Sequence, residues 1–310
     1  MKALILHGAV LAGLLTLHFL LPVYHHGNLA RIMVLAVFAM GYNIAFGYTG
    51  LLSLGHALFL AAGMFGSGLL IQHVGLGALP ALIAGSLAGA AMAALTGLLA
   101  LRTAGVSFMI VTLMFAQAGY LTLLYFGAIT GGDEGFPLPA AARQAFGFDL
   151  TQPGPRYLAA LALFAAGLLA QLALVRSRFG RIMVAMRENE ERSRMLGYNP
   201  FTVKLAALAL SGLYAGAAGA FYGVLFGYVG ASFATIQYSI LPMLYVLLGG
   251  AGTTLGPLLG AVLMFYLIDL SSTYTSAHLL VVGGALLVLV LFAPKGILGT
   301  LRDRGLKWLP

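Results

Sequence analysis

The sequence predicts an all-α polytopic membrane helix bundle, and three observations predict it. Of the 310 residues, 61% are hydrophobic and 8% charged, with a mean hydropathy of +0.99. An ordinary soluble domain carries about 25% charged residues, so these few charges cannot cover a water-facing surface. Apolar runs recur at about the 20-residue length that crosses a hydrocarbon core. Small residues recur four apart, at Gly85 and Gly89, Gly212 and Gly216, Gly219 and Gly223, and Gly256 and Gly260. That spacing lets helix backbones approach closely in lipid. Cysteine is absent, which excludes disulfides, thiolate metal sites and thiol nucleophiles.

About ten spans are expected, some of them broken by glycine. The first, Ala3–Leu21, follows Lys2 and resembles a signal peptide. Its apolar run is longer than a usual signal core and no A-x-A site follows, so it reads as a retained helix. Ile32–Phe46, Leu51–Ile71, Leu79–Leu101 and Val106–Ala128 come next, then Tyr157–Val175 and Leu205–Tyr228. Ile236–Leu248, Leu255–Leu270 and Leu279–Phe292 complete the set; the region 236–270 reads equally as two spans or as a re-entrant pair.

Charge sets the orientation. The segment Arg176–Lys204 holds Arg176, Arg178, Arg181, Arg187, Arg192, Arg194 and Lys204, and the tail holds Lys295, Arg302, Arg304 and Lys307. With Lys2 and Arg102, thirteen of the sixteen basic residues fall on one side, the side that faces the cytoplasm. The loop 129–156 carries Asp133, Glu134 and Asp149 and faces away. Ten spans with both termini cytoplasmic satisfy every loop. The net charge of +8 is therefore topological, and nucleic acid is not an expected partner. Lys307, Trp308 and Arg304 read as interface anchors of the tail.

Polar groups within the spans mark the candidate site. From Ala39 to Met64 a nearly apolar stretch carries Asn43, Tyr48, Thr49, Ser53 and His56 among five glycines. Polar side chains in lipid are costly unless they face protein or a wet cavity, and glycine-broken helices recur at solute sites. Asn43, Tyr48, Ser53 and His56 are the candidate pathway residues. For Asn43 and Ser53, lining and packing stand equal, whereas Thr112 and Gln117 read as interhelical packing bonds. His56 is open to two readings, a donor to a solute carboxylate or a neutral histidine bonded to a carbonyl freed at the break. A second broken stretch, Gly249–Gly260, pairs with Gly47–Gly63 to suggest two inverted-topology halves around a midplane pathway.

The one long charged stretch, Arg176–Lys204, is expected to be helical from Gly180 to Leu196. Glu188 to Arg192 and Glu190 to Arg194 are four apart in the favourable order. Gly197 and Pro200 stop the helix. Ile182, Met183, Met186, Met195 and Leu196 leave an apolar side that seeks a partner. No phosphate-binding loop, zinc-protease motif or nucleophile elbow is present, so the chain is not expected to be an enzyme. Asp269 reads as an interfacial, hydrated carboxylate. His25 and His26, read as a loop pair without a third ligand, make a poor metal site.

Six motifs in order carry a resemblance. They are GYTGLLSLGHALFLAAG at Gly47–Gly63, SFMIVTLMFAQ at Ser107–Gln117, TGGDEGF at Thr130–Phe136 and AMRENEERSRMLGYN at Ala185–Asn199. LLGGAGTTLGPLLGA at Leu247–Ala261 and FAPKGILG at Phe292–Gly299 follow. The chain resembles the LivM-type permeases of branched-chain amino acid ABC importers, in the LivH/LivM family. The resemblance implies one permease domain over residues 1–310 in a bacterial inner membrane, with 176–204 as its ATPase-coupling segment. There Arg187, Glu188, Asn189, Glu190, Arg194 and Gly197 would meet the ATPase. It implies a second, LivH-like permease, two LivG/LivF-like cytoplasmic ATPases and a periplasmic solute-binding protein delivering to the TGGDEGF face. No cofactor is implied in this chain; ATP and magnesium belong to the ATPases. Urea, amide, aromatic acid and sugar permeases are the neighbouring alternatives, and an ion-coupled secondary transporter is the alternative outside the class.

Overall fold

The computed structural model describes residues 2–304 apart from 146, 275–276, 278–279, 281–282, 285–286, 288–290, 292 and 294. Helix α1 spans Lys2–Leu20 and α2 spans Val23–Asn43, running on through a π-helical turn at Ile44–Tyr48. Then come α3 (His56–Leu69, with a π-helical end at Leu70–Val74), α4 (Ala78–Ala100), α5 (Val106–Tyr125) and the single turn α6 (Gly127–Thr130). After the loop region follow α7 (Pro153–Arg176), α8 (Arg178–Glu188), α9 (Glu190–Met195), α10 (Pro200–Phe226), α11 (Ile236–Gly249), α12 (Gly256–Tyr274) and α13 (Gly296–Arg304).

Seven of these, α2 to α5, α7, α10 and α12, are long and apolar enough to cross a membrane, and α1 and α11 are shorter apolar helices. Nine expected spans thus fall on apolar helices. The tenth, Leu279–Phe292, falls mostly outside the described residues, as do Lys307 and Trp308. Asp269 is exposed in α12. The ambiguous region 236–270 forms two adjacent helices. Fourteen residues of α11 give about 21 Å at 1.5 Å per residue, short of a hydrocarbon core of about 30 Å.

Glycine governs the packing. Helix α10 lies against α4, α3 and α2. A Cβ on Gly89 would sit 2.4 Å from the Gly216 Cα, and one on Gly212 would sit 2.6 Å from the Gly89 carbonyl oxygen. The four-residue pairs of α4 and α10 are therefore each other's partners. Gly219 meets Leu60 of α3, and Gly260 meets Tyr245 of α11. Such contacts replace the hydrophobic drive that lipid removes.

At the far end from α8, β1 (Phe136–Pro137) pairs with β4 (Tyr228–Val229), Phe136 opposite Val229. A second small hairpin joins β2 (Gln144–Ala145) to β3 (Phe148–Asp149). Between them Arg143 is buried and donates to the carbonyls of Val224 and Leu225, each at 2.6 Å. Burial pushes its guanidinium below its usual value, Arg156 adds to that, and Asp149 opposes it.

Three expectations are corrected. The segment 180–196 is two helices, not one. Asn189 is extended (φ −157°, ψ 105°) and its side chain accepts from the Arg192 amide to start α9 afresh. The break takes Glu188 and Arg192 off a shared helix, and Glu190 pairs with Lys204 at 2.5 Å. His25 and His26 lie in the first turns of α2, where His26 Nε2 bonds the His18 carbonyl at 3.1 Å. Finally, the two glycine-broken stretches lie at one end of the bundle. The first joins α2 to α3 and the second joins α11 to α12, and the two touch. They are not inverted counterparts of each other.

Candidate functional site

The π-helical turn at Ile44–Tyr48 ends α2, and the chain from Thr49 to Gly55 is non-helical before α3 starts at His56. Helix termini expose backbone groups that need partners, and inside lipid water cannot supply them. Neighbouring side chains do so here. The Leu54 amide donates to Thr112 Oγ1 of α5 at 3.1 Å, and the Gly55 amide donates to Ser53 Oγ at 3.1 Å. The Ala57 amide donates to Ser239 Oγ of α11 at 3.1 Å. Each hydroxyl satisfies a group that the missing helical turn would have satisfied.

Asn43 joins this break to the second one. Its Nδ2 donates to the Thr253 carbonyl at 2.8 Å, and its Oδ1 accepts from the Gly252 amide at 2.9 Å. A side-chain amide thus pairs with the backbone of a loop more than two hundred residues away. Gly47 is required beneath it, because a Cβ there would fall 1.9 Å from Asn43 Oδ1 and 2.6 Å from the Gly252 amide nitrogen. His56 is wholly buried and shares a 2.7 Å hydrogen bond with Ser211 Oγ of α10. Its partner is therefore a neighbouring hydroxyl, not a freed carbonyl. The ring lies 4.7 Å from Tyr42 and 5.2 Å from Phe59, and Nδ1 has no partner among the described residues.

The basic segment reaches the same place. Arg187, at the end of α8, donates from Nη1 to the Gly47 carbonyl. A Cβ on Gly252 would stand 3.1 Å from that same Nη1, and one on Gly50 would stand 3.1 Å from Arg187 Cγ. One guanidinium therefore rests on both breaks. From the tail, Arg302 donates to the Gly252 carbonyl at 3.4 Å, and His7 Nε2 shares a 2.7 Å bond with Thr254 Oγ1.

Asn43, Tyr48, Ser53 and His56 are thus brought together, and all four are buried. None borders the open groove nearby, of about 450 Å³, whose walls include Thr49–Leu52, Met186–Glu190 and Lys204. Glu188, Asn189, Glu190, Arg194 and Gly197 are exposed on the segment 176–204, and Gly197 has the left-handed φ of +90° expected of a helix stop. Its apolar side divides. Met183 and Met186 are buried against this chain's own bundle, whereas Met195 (83% exposed) and Leu196 (71%) point outward.

Helix breaks buried in an apolar bundle are thus wired to an exposed basic segment. The chain matches the family described as branched-chain amino acid transport system / permease component over residues 26–291. It belongs to that permease family. The high-affinity branched-chain amino acid transport system permease protein LivM of Salmonella typhimurium is 32% identical over 294 residues, covering 88% of this chain and 69% of the relative. LivM of Escherichia coli is 31% identical over 295 residues with the same coverage. A probable branched-chain amino acid transport permease protein LivM of Methanocaldococcus jannaschii is 31% identical over 88 residues, 28% of this chain and 26% of the relative. No solved structure matches this permease.

The sequence reading did not find Ser211, Ser239, Gly252 and Thr253 as partners of the first break. Their signal was modest. Ser211 and Ser239 are the single serines of apolar helices, and Gly252–Thr253 lies in a motif already noted for its glycines.

Proposed function

We propose that this permease is the membrane subunit of an ATP-driven, binding-protein-dependent importer that carries branched-chain or other small amino acids across a bacterial inner membrane. It would work with a second permease, two cytoplasmic ATPases and a periplasmic binding protein. The observation that carries the reading is Arg187. It belongs to the segment expected to meet the ATPase, and it donates to Gly47 while lying against Gly252. Movement of α8 imposed by a nucleotide-driven partner therefore acts on both breaks at once. Exposed Met195 and Leu196, with Tyr198 and Phe201 at about forty per cent exposure, supply the apolar contact for that partner.

The pathway we assign runs past the first break. Asn43, Tyr48, Ser53 and His56 close it in the observed conformation, and separation of α3 from α10 and of the two breaks opens it. Two features support inverted-topology halves and ten spans. The pentapeptide Phe46-Gly47-Tyr48-Thr49-Gly50 recurs as Phe226-Gly227-Tyr228-Val229-Gly230, each at the end of a long helix and each followed within six residues by the next α-helix, the second through a 3-10 turn at Ala231–Ala234. An arginine from a segment flanking α7 covers each one, Arg187 from α8 and Arg143 from the loop before α7. Arg187 lies on Gly47, and a Cβ on Gly227 would meet Arg143 Nη1 at 2.4 Å. An ion-coupled mechanism is disfavoured, because among the described residues no Asp or Glu is buried and such carriers work through interior carboxylates.

The test is uptake and ATP hydrolysis by the reconstituted transporter carrying Arg187→Ala. The expected result is that hydrolysis persists while uptake per ATP falls at least tenfold. Full uptake by Arg187→Ala would remove the coupling assignment, and uptake without any ATPase would remove the importer reading.

A further inference from the structure

The end of the bundle opposite α8 holds a guanidinium that this coupling scheme does not use. Arg31 stands in α2, the most enclosed of the long spans, yet it is exposed. Its guanidinium carbon lies 5.0 Å from the centre of the Phe226 ring at the end of α10. Arg156 of α7 lies 5.6 Å from the same ring, but its donors are committed to the carbonyls of Leu150 and Thr151. Arg31 has no hydrogen bond or ion pair among the described residues, unlike Lys204, which pairs with Glu190. The charge of Arg31 acts on Tyr222, Tyr238 and Arg156. The aromatic wall is continuous: Tyr222 packs 4.7 Å from Phe226 and 5.0 Å from Phe233, and Phe233 packs 4.8 Å from Tyr238.

An arginine in an apolar span is costly and is retained where it meets a partner. The Asp149 carboxylate acts on Arg156, whereas Arg31 pairs with no carboxylate among the described residues, which leaves a local positive field at Arg31. A guanidinium presents a planar fork that matches a carboxylate through two parallel hydrogen bonds, and the aromatic wall suits an aliphatic body beside it. The patch lies beside the TGGDEGF loop. Tyr228 of β4 donates to the Glu134 carbonyl at 2.8 Å and stands 6.5 Å from Phe233.

We propose that Arg31, seated over Phe226 and flanked by Tyr222 and Tyr238, receives the carboxylate of the incoming solute at the outer mouth. The proposal rests on the importer reading and narrows its solute to molecules with an ionised carboxylate, amino acids rather than urea or neutral amides. A lipid phosphate offers similar oxyanion chemistry, so the test separates the two sources.

The test uses the whole transporter, with its partner permease, ATPases and binding protein, in proteoliposomes. Arg31→Cys places a single thiol in a chain that has none. Uptake of leucine at limiting concentration is expected to fall at least tenfold. Reaction with 2-aminoethyl methanethiosulfonate, which restores a cation, is expected to recover much of it, and the neutral methyl reagent is not. Both results should be the same in phosphatidylcholine vesicles with and without phosphatidylglycerol. Should Arg31→Cys fail to assemble, Arg31→Lys is measured instead, and a raised KM with wild-type ATP hydrolysis in the absence of solute is expected. Unchanged uptake or KM overturns the proposal, as does a loss confined to one lipid mixture, which assigns the guanidinium to a headgroup. Wild-type vesicles that import no amino acid overturn the importer reading itself; wild-type import indifferent to Arg31 overturns only this site.

Discussion

Asn43 has both halves of its amide paired with main-chain groups of the opposite break, and it is wholly buried. Replacing it with a leucine of similar size leaves the Gly252 amide and the Thr253 carbonyl without their partner. Each orphaned group costs about 1–3 kcal/mol. Asn43→Leu is therefore expected to lower the thermal unfolding midpoint of the purified permease clearly, whereas Gln117→Leu, on the half-buried face of α5, should shift it little. Scanning fluorimetry in detergent distinguishes them; equal midpoints would show that Asn43 holds nothing. The sequence made Asn43 visible as a polar residue in an apolar run. It did not make its partners visible, because backbone groups carry no residue-specific signal and these lie in a distant loop. The two readings of His56 both missed Ser211, because that hydroxyl lies on a helix 155 positions away and sequence spacing does not say which helices pack together.

At the scale of elements, the four-residue glycine pairs were legible as helix contacts, and only the structure shows which helices they join. The contact of α4 with α10 depends on backbone approach at Gly85, Gly89, Gly212 and Gly216. A valine at Gly89 must displace the Gly216 backbone, an overpacking cost at or above about 3 kcal/mol. Gly89→Val is expected to abolish monodisperse assembly in size-exclusion chromatography, while Gly13→Val in α1, which has nothing within 4 Å, leaves it unchanged. A normal profile for Gly89→Val would mean that this interface is not what holds α10. The sequence of 180–196 predicts a single helix because its residues favour helix and its charges pair at four-residue spacing. Asn189 defeats that pattern locally, since an Asn side chain that caps the next helix outweighs a few tenths of a kcal/mol from exposed ion pairs.

Across the whole molecule, contacts at the second break fix which parts of the chain share a side. His7 near the start of α1, Arg187 at the end of α8 and Arg302 in α13 all converge on 252–254 or lie against it. We therefore expect an even number of crossings between α1 and α8, and again between α9 and α13. Ten spans with two cytoplasmic termini would have that parity, and the excess of Lys and Arg in these segments leads to the same expectation. The prediction uses the absence of cysteine. Asp133→Cys, exposed in the TGGDEGF loop, and Glu191→Cys, exposed in α9, each introduce one thiol without touching the core. In spheroplasts a membrane-impermeant maleimide is expected to label Asp133→Cys at once. Glu191→Cys should be spared until the membrane is permeabilised, and Arg302→Cys should follow Glu191→Cys. Labelling of Arg302→Cys from outside would break the parity, and with it the arrangement that lets one cytoplasmic partner act on both helix breaks through Arg187.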